Sequence, residues 1–269
     1  AGTSPQRREE VVAARDHSAP WVAPFQLHGD GLAGPQREEG LDLDVYRGEI
    51  LGVVGASGTG KSVLMKCLTG LMPANAGGIE IFGRDVEGLS RGERVDIEAR
   101  WGVLFQDGAL FGALTVLQNV QVPMREHLDM PAAMMDELAL LKIAMVGLPA
   151  SAAHKFPAEL SGGMRKRAGL ARALALDPEI VFLDEPTSGL DPVGAAAFDR
   201  LIRKMQRTLG LTVYMVTHDL DSIFAVCDRV AVLADRRIVR TGSPQEMRAR
   251  PEHPWIMDYF CGERGRAGT

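Results

Sequence analysis

Residues 55–62 read GASGTGKS, directly after the apolar run EILGVV (49–54) and directly before the helical pattern VLMKCLTGLM. The order is strand, glycine loop, helix. In a G-x-x-x-x-G-K-S spacing Gly55, Gly58 and Gly60 let the backbone bend, so that its N–H groups, through Ala56, Ser57 and Thr59, face a polyphosphate. Lys61 then falls at the β- and γ-phosphates and Ser62 on a Mg²⁺ ion, while the following helix N-terminus adds favourable potential for the anion. About 120 residues further on, EIVFLDEP places the apolar residues Ile180 to Leu183 before two acids, Asp184 and Glu185. A buried strand ending in two carboxylates at the carboxyl end of a parallel sheet suits phosphoryl transfer to water: Asp184 for the metal shell, Glu185 to polarise the attacking water. The chemistry expected is hydrolysis of a Mg²⁺-bound nucleotide polyphosphate.

Those residues need a sheet to align them. From Leu41 onward short β-branched runs alternate with helical patterns: 49–54, IEIF (79–82), WGVLF (101–105), EIVFLD (179–184), LTVYMVT (211–217) and RVAVLA (229–234). That alternation predicts an α/β fold with a largely parallel sheet. Between the third and fourth runs lies a helix-rich stretch, with Pro131 expected in a first helical turn, and SPQE from Ser243 reads as a capping-box helix start. Residues 1–20, polar and charged, read as a loose arm. No internal repeat marks two fused cassettes.

Composition sets the outer limits. The 269 residues are 46% hydrophobic and 24% charged, as in globular proteins rather than disordered or fibrous ones. A net charge of -5 supplies no global basic field for nucleic acid. Cys67, Cys227 and Cys261 are odd in number and far apart, which argues against a disulfide framework or a zinc site and for a reducing cytosol. No apolar run approaches the ~18 residues of a membrane span, nor does the start resemble a secretory signal, so a membrane role is expected to pass through a partner.

LSGGM at 160–164, just before the helical run MRKRAGLARALAL and the DEP segment, closely resembles the signature of the ATP-binding cassette (ABC) ATPases. The same local sequence also fits an ordinary Ser-capped helix, and the context favours the signature. Gln106 in VLFQDGALF resembles the Q-loop, SGLD (188–191) the D-loop, and His218 in VTHD the switch histidine. The resemblance covers roughly residues 41–245. It implies a RecA-like, mostly parallel sheet core, an antiparallel β portion at the N-terminal side and a helical subdomain at about 108–176. A single ATPase domain would span 21–250, with a C-terminal helix and tail at 251–269. It also implies a homodimer in which Ser161, Gly162 and Gly163 close on the nucleotide held by the opposite subunit. Gln106 would help Ser62 and Asp184 with the metal and, with Glu185 and His218, form the catalytic group, His218 sensing the γ-phosphate.

A narrower resemblance is carried by FQDGALFGALTVLQNVQVPMREH (105–127) and by Met164 where most cassettes have Gln: both are similar to the ATPase subunit of Mla-type lipid transporters. That implies a membrane permease and an MCE-domain lipid-binding protein as partners, a small regulatory subunit, and a place on the cytoplasmic face of the inner membrane. Met164, Leu110 and Phe111 equally suit packing in the helical lobe or against another permease. A soluble cassette of DNA repair or translation, or a module that binds without turnover, are the other readings. Coiled-coil insertions, zinc cysteines or a second cassette, usual in the former, are missing, and Glu185 with His218 opposes the latter.

One departure concerns the base. Cassettes usually offer an aromatic ring some 25 to 30 residues before the phosphate-loop lysine, and 27–45 has none, leaving Phe25 upstream and Tyr46 downstream. The run Arg165, Lys166, Arg167 is expected to be a solvated helix face rather than an RNA contact. His17, His28, His127, His154 and His253 lack ligand-spaced partners, and Cys67 is expected to be buried on the helix after the loop.

Overall fold

The computed structural model describes residues 20–22, 41–74, 78–86 and 88–262. Its main sheet takes the five long apolar runs as β3 (Ile50–Val54), β6 (Trp101–Leu104), β7 (Ile180–Asp184), β8 (Thr212–Val216) and β9 (Arg229–Ala234). The spatial order is β10-β9-β3-β8-β7-β6, with all neighbours parallel except β10 (Arg237–Gly242), which runs antiparallel to β9. Runs without polar alternation are what a sheet covered on both faces demands. Along β3, Ile50 and Val54 enter one core and Leu51 and Val53 the other; β7 divides Val181 and Leu183 from Ile180 and Phe182 in the same way. At about 1.5–3 kcal/mol for each fully buried branched side chain against about 1 kcal/mol net for a ladder hydrogen bond, burial on two faces is what anchors these strands.

One core is closed by α1 (Lys61–Leu68), where Cys67 is buried as expected. The other is closed by α6 (Pro192–Leu209), α7 (Leu220–Val226) and a helical lobe of α3 (Val116–His127), α4 (Ala132–Met145) and α5 (Gly162–Ala173). The lobe helices start on local chemistry: Thr115 and Gln118 form a capping box for α3, and Ser161 accepts from Met164 N to cap α5. Ser243 and Glu246 box the start of α8 (Pro244–Ala249) as its SPQE sequence predicts. The chain then continues into α9 (Pro254–Cys261), whose Phe260 meets Phe224 of α7 edge-on.

Two expectations shift. IEIF contributes only β4 (Glu80–Ile81), paired antiparallel with β5 (Arg84–Asp85) outside the main sheet, because Phe82 and Gly83 both take positive φ and turn the chain back. The expected antiparallel portion is this pair together with β1 (Pro20–Val22) against β2 (Val45–Tyr46). Pro131 caps α4 from outside rather than opening its first turn. A helix α2 (Arg91–Glu98) joins the small sheet to β6. Residues 1–19 and 263–269, which hold most of the expected arm and tail, lie outside the described residues, as do Phe25, His17 and His28.

Candidate nucleotide site at the carboxyl edge

The parallel register brings the motifs together. Val53 of β3 is level with Val216 of β8, and Val216 with Asp184 of β7. Gly55 therefore leaves the sheet beside His218 and Glu185, although the sequence separates them by more than a hundred residues. Leu104 is level with Leu183, so Gln106 leaves the same edge one strand further over.

The glycine loop is shaped by two constraints. A Cβ at Gly55 would lie 2.2 Å from the Leu233 carbonyl oxygen of β9, so no larger residue fits where the loop leaves β3. Gly60, with φ 97°, is the left-handed residue from which α1 starts. Inside the loop the Lys61 ammonium donates to the Gly55 and Ala56 carbonyls, each at 2.7 Å. Burial lowers the Lys61 pKa, an effect opposed by the nearby Glu185 and Asp184 carboxylates.

Opposite the loop stand the two acids. Asp184 is raised above the usual carboxylate range, first by burial and then by the neighbouring Glu185 charge, an effect opposed by Lys66, the nearby Ser62 hydroxyl and Lys166. Its buried Oδ1 has no hydrogen-bond partner among the described residues. A hydroxyl beside a carboxylate with a spare lone pair is a hard-oxygen donor set, so Ser62 and Asp184 fit Mg²⁺. Glu185 takes φ 49°, a left-handed conformation that costs a non-glycine residue about 1–2 kcal/mol and is held by the surrounding structure. Its N–H donates to Val216 O of β8 at 2.9 Å, and Lys166 Nζ donates to its carbonyl at 3.0 Å. In that pose Glu185 Oε2 lies 2.7 Å from His218 Nδ1. The acid is mostly sheltered, at 16% side-chain exposure, while the histidine is open to solvent at 69%.

Behind the pair runs a polar chain that the sequence did not disclose. Thr187 meets Ser222 at 3.3 Å, and Ser222 donates to Asp199 Oδ2 at 2.7 Å and reaches Asp219 at 3.2 Å. This ties the segment after Glu185 to the segment after His218. Asp199 is pushed up to about 6, chiefly by burial. The D-loop resemblance ends on Asp191, which caps α6 by accepting from Gly194 N at 2.9 Å.

The structure places the remaining site residues less closely. Gln106 is exposed at the same edge, ahead of a kink in which Asp107, Gly108 and Ala109 all have positive φ. Its side chain forms no hydrogen bond to Asp184 or Glu185. Ser161, Gly162 and Gly163 open α5 at the surface, with Gly163 facing Leu190 of the SGLD segment. One candidate and one expectation fall here. Tyr46 sits at the amino end of β3, under the Arg229 guanidinium at 4.3 Å, with the whole strand between it and the loop, so it is not placed to stack on a base. The basic run is solvated only in part: Lys166 is 3% exposed, and the half-buried Arg165 and Arg167 donate to the Leu160 and Val146 carbonyls. Asn119 was also missed. Fully buried, it accepts from Phe111 N and donates to the Phe111, Leu114 and Thr115 carbonyls, fixing the path after Gln106. The available signal was an asparagine, a residue that favours caps and turns, placed inside the helical run VLQNVQV.

A glycine loop between strand and helix, paired acids two strands away across β8 and a serine-capped helix facing the D-loop define a nucleotide-binding cassette of the ABC type. The family model for ABC transporters matches residues 39–188, and the chain belongs to that family. Among curated relatives it is 38% identical over 224 residues to the intermembrane phospholipid transport system ATP-binding protein MlaF of Escherichia coli K12, covering 83% of this chain and 82% of that one. It is 41% identical over 226 residues to the probable ribonucleotide transport ATP-binding protein mkl of Mycobacterium leprae, where 84% of this chain matches but only 65% of the relative's length is spanned. Among solved structures, the dimeric post-hydrolysis state of the ATP-binding cassette MJ0796, bound to ADP and Pi, superposes with a TM-score of 0.72 at 28% identity, over 82% of this chain and 98% of that one. CbiO1 from Clostridium perfringens, part of an ABC transporter complex, gives 0.76 at 28% identity, over 93% and 97%.

Proposed function

We propose that this chain is the ATP-hydrolysing subunit of an ABC transporter that moves phospholipid between bacterial membranes. The observation that carries the hydrolytic part is the convergence, on one sheet edge, of the Lys61 ammonium, the Ser62–Asp184 donor pair and the Glu185–His218 contact. Backbone N–H groups from Gly55 to Gly60 cradle the phosphates, and Lys61 exchanges its carbonyl partners for phosphate oxygens. Ser62 and Asp184, with Gln106, would hold Mg²⁺, which would supply charge neutralisation on the phosphates. Glu185 takes the proton of the attacking water, and His218 orients the carboxylate and meets the γ-phosphate. Ser161, Gly162 and Gly163 act on the nucleotide of a second copy of the chain, so turnover requires the dimer.

The lipid part rests on the similarity to MlaF and on the 105–127 stretch. No helix among the described residues is long and apolar enough to cross a membrane, so transport is delegated to a permease, with an MCE-domain lipid carrier and a small regulatory subunit completing the assembly at the cytoplasmic face of the inner membrane. Phe111, its backbone fixed by Asn119 and its side chain exposed beside the half-buried Leu110, offers the permease its docking point. Capture of the full chain from detergent-solubilised membranes should bring down a permease that, in vesicles, transfers labelled phospholipid only with ATP. A sugar, peptide or amino-acid permease in its place would remove the lipid reading and leave the ATPase.

A further inference from the structure

We infer that Lys166 is a positioning residue for hydrolysis: it ties the helix that carries Ser161–Gly163 to the main chain of Glu185 in the same subunit. The inference rests on the proposed ATPase function and adds a residue to it. Three basic side chains follow the signature, and their fates differ. Arg165 and Arg167 turn back to carbonyls of the lobe and of the loop before α5. Lys166 alone leaves the lobe, crossing to the sheet core to donate to the Glu185 carbonyl at 3.0 Å.

Burying an ammonium is costly unless the surroundings answer it. Here the answering charges are Asp107 from the kink after Gln106, then Glu185 and Asp184. One cation thus stands among the Q-loop, both acids and the signature helix. An apolar side chain would fill the space, but it would give the Glu185 carbonyl no donor from α5. That carbonyl belongs to the left-handed residue whose side chain meets His218, so its direction and the pose of the carboxylate are set together. When α5 moves as its serine end closes on the nucleotide of the opposite subunit, Lys166 carries the Glu185 peptide with it. The position of the base thereby follows the position of the signature helix.

Lys166→Met retains the side chain's length and removes the charge. In the full-length protein it should leave ATP affinity and KM within about twofold and lower kcat about ten- to hundredfold. ATP should still drive dimerisation, so that an ATP-bound dimer accumulates on size exclusion. Lys166→Arg, which keeps a donor, should recover kcat to within about fivefold of wild type. A kcat for Lys166→Met within about twofold of wild type would overturn the inference while the ATPase reading stands. So would loss of affinity and dimerisation together with kcat, which marks a packing role, or a Lys166→Arg variant that folds with normal affinity yet is no faster than Lys166→Met. Absence of turnover in the wild type would remove the proposed function and this inference with it.

Discussion

At the carboxyl edge of the sheet the charged side chains are answered within the chain, whereas on the helical lobe large apolar side chains stand in solvent. Lys61 is held by two carbonyls, His218 by Glu185 and Lys166 by the Glu185 peptide. On the lobe and the loops that join it, Phe111, Met134, Leu141 and Phe156 are each 44–54% exposed. An edge whose basic side chains are held in place while one Asp184 oxygen is left open is arranged for a small ligand, since the donors are already aimed and have only to change partner. Large apolar side chains left open suit contact with another protein, the permease under the proposed function. The two regions meet at the kink after Gln106, where Arg172 donates to the Gly108 and Ala109 carbonyls and lies 5.9 Å from the Phe111 ring.

The comparison can be broken at the lobe. Phe111→Asp should abolish capture of the permease, a loss of about a hundredfold or more in affinity, because a charge would be buried against an apolar partner. ATP hydrolysis by the isolated protein should remain within about twofold of wild type. Equal capture by the variant would show that the open face serves something else. Leu110 is a poorer target than its position in the sequence suggests, since it packs against the main core and its substitution would also destabilise the fold.

At the edge the comparison is sharpened by a smaller effect. Asp199 is buried behind Glu185 and His218, with one oxygen lacking a partner and a pKa of about 6 against an ordinary 3.8. The folded state therefore binds a proton more tightly than the unfolded one. The stability this provides is complete below about pH 4 and is lost as pH rises through 6, at a cost of about 3 kcal/mol. Asp199→Asn should remove that slope and stabilise the protein by about 1–3 kcal/mol at pH 8, read from urea unfolding at several pH values. Destabilisation at pH 8 would mean that the carboxylate is stabilised there by a contact the asparagine cannot make.

How far these features were legible follows from what fixes each of them. Strand runs with chemistry at their ends were readable because burial on both faces leaves no polar alternation, and because a parallel register lines up carboxyl ends. β10 was not, since RIVRTG is a half-exposed edge strand bearing two arginines and has no such run. IEIF looked like its neighbours, yet only two of its residues pair, outside the main sheet. Lys166 was misread because a helical pattern tells which face is apolar but not that a strand end with a free carbonyl lies within reach of a long side chain. Tyr46 failed as a base-stacking candidate for a similar reason: nearness to the loop in sequence puts it at the opposite end of β3. The Thr187–Ser222–Asp199 chain joins three segments and has no local signature.

The central claim is that Glu185, posed by His218, Lys166 and its left-handed backbone, is the base of an ATP-hydrolysing site. Its most direct test is steady-state hydrolysis by Glu185→Gln, whose amide keeps the shape of the carboxylate and cannot accept the proton. Turnover should fall by at least about a hundredfold while ATP affinity stays within about twofold, and an ATP-bound dimer should accumulate. Turnover within a few-fold of wild type, with nucleotide bound normally, would contradict it.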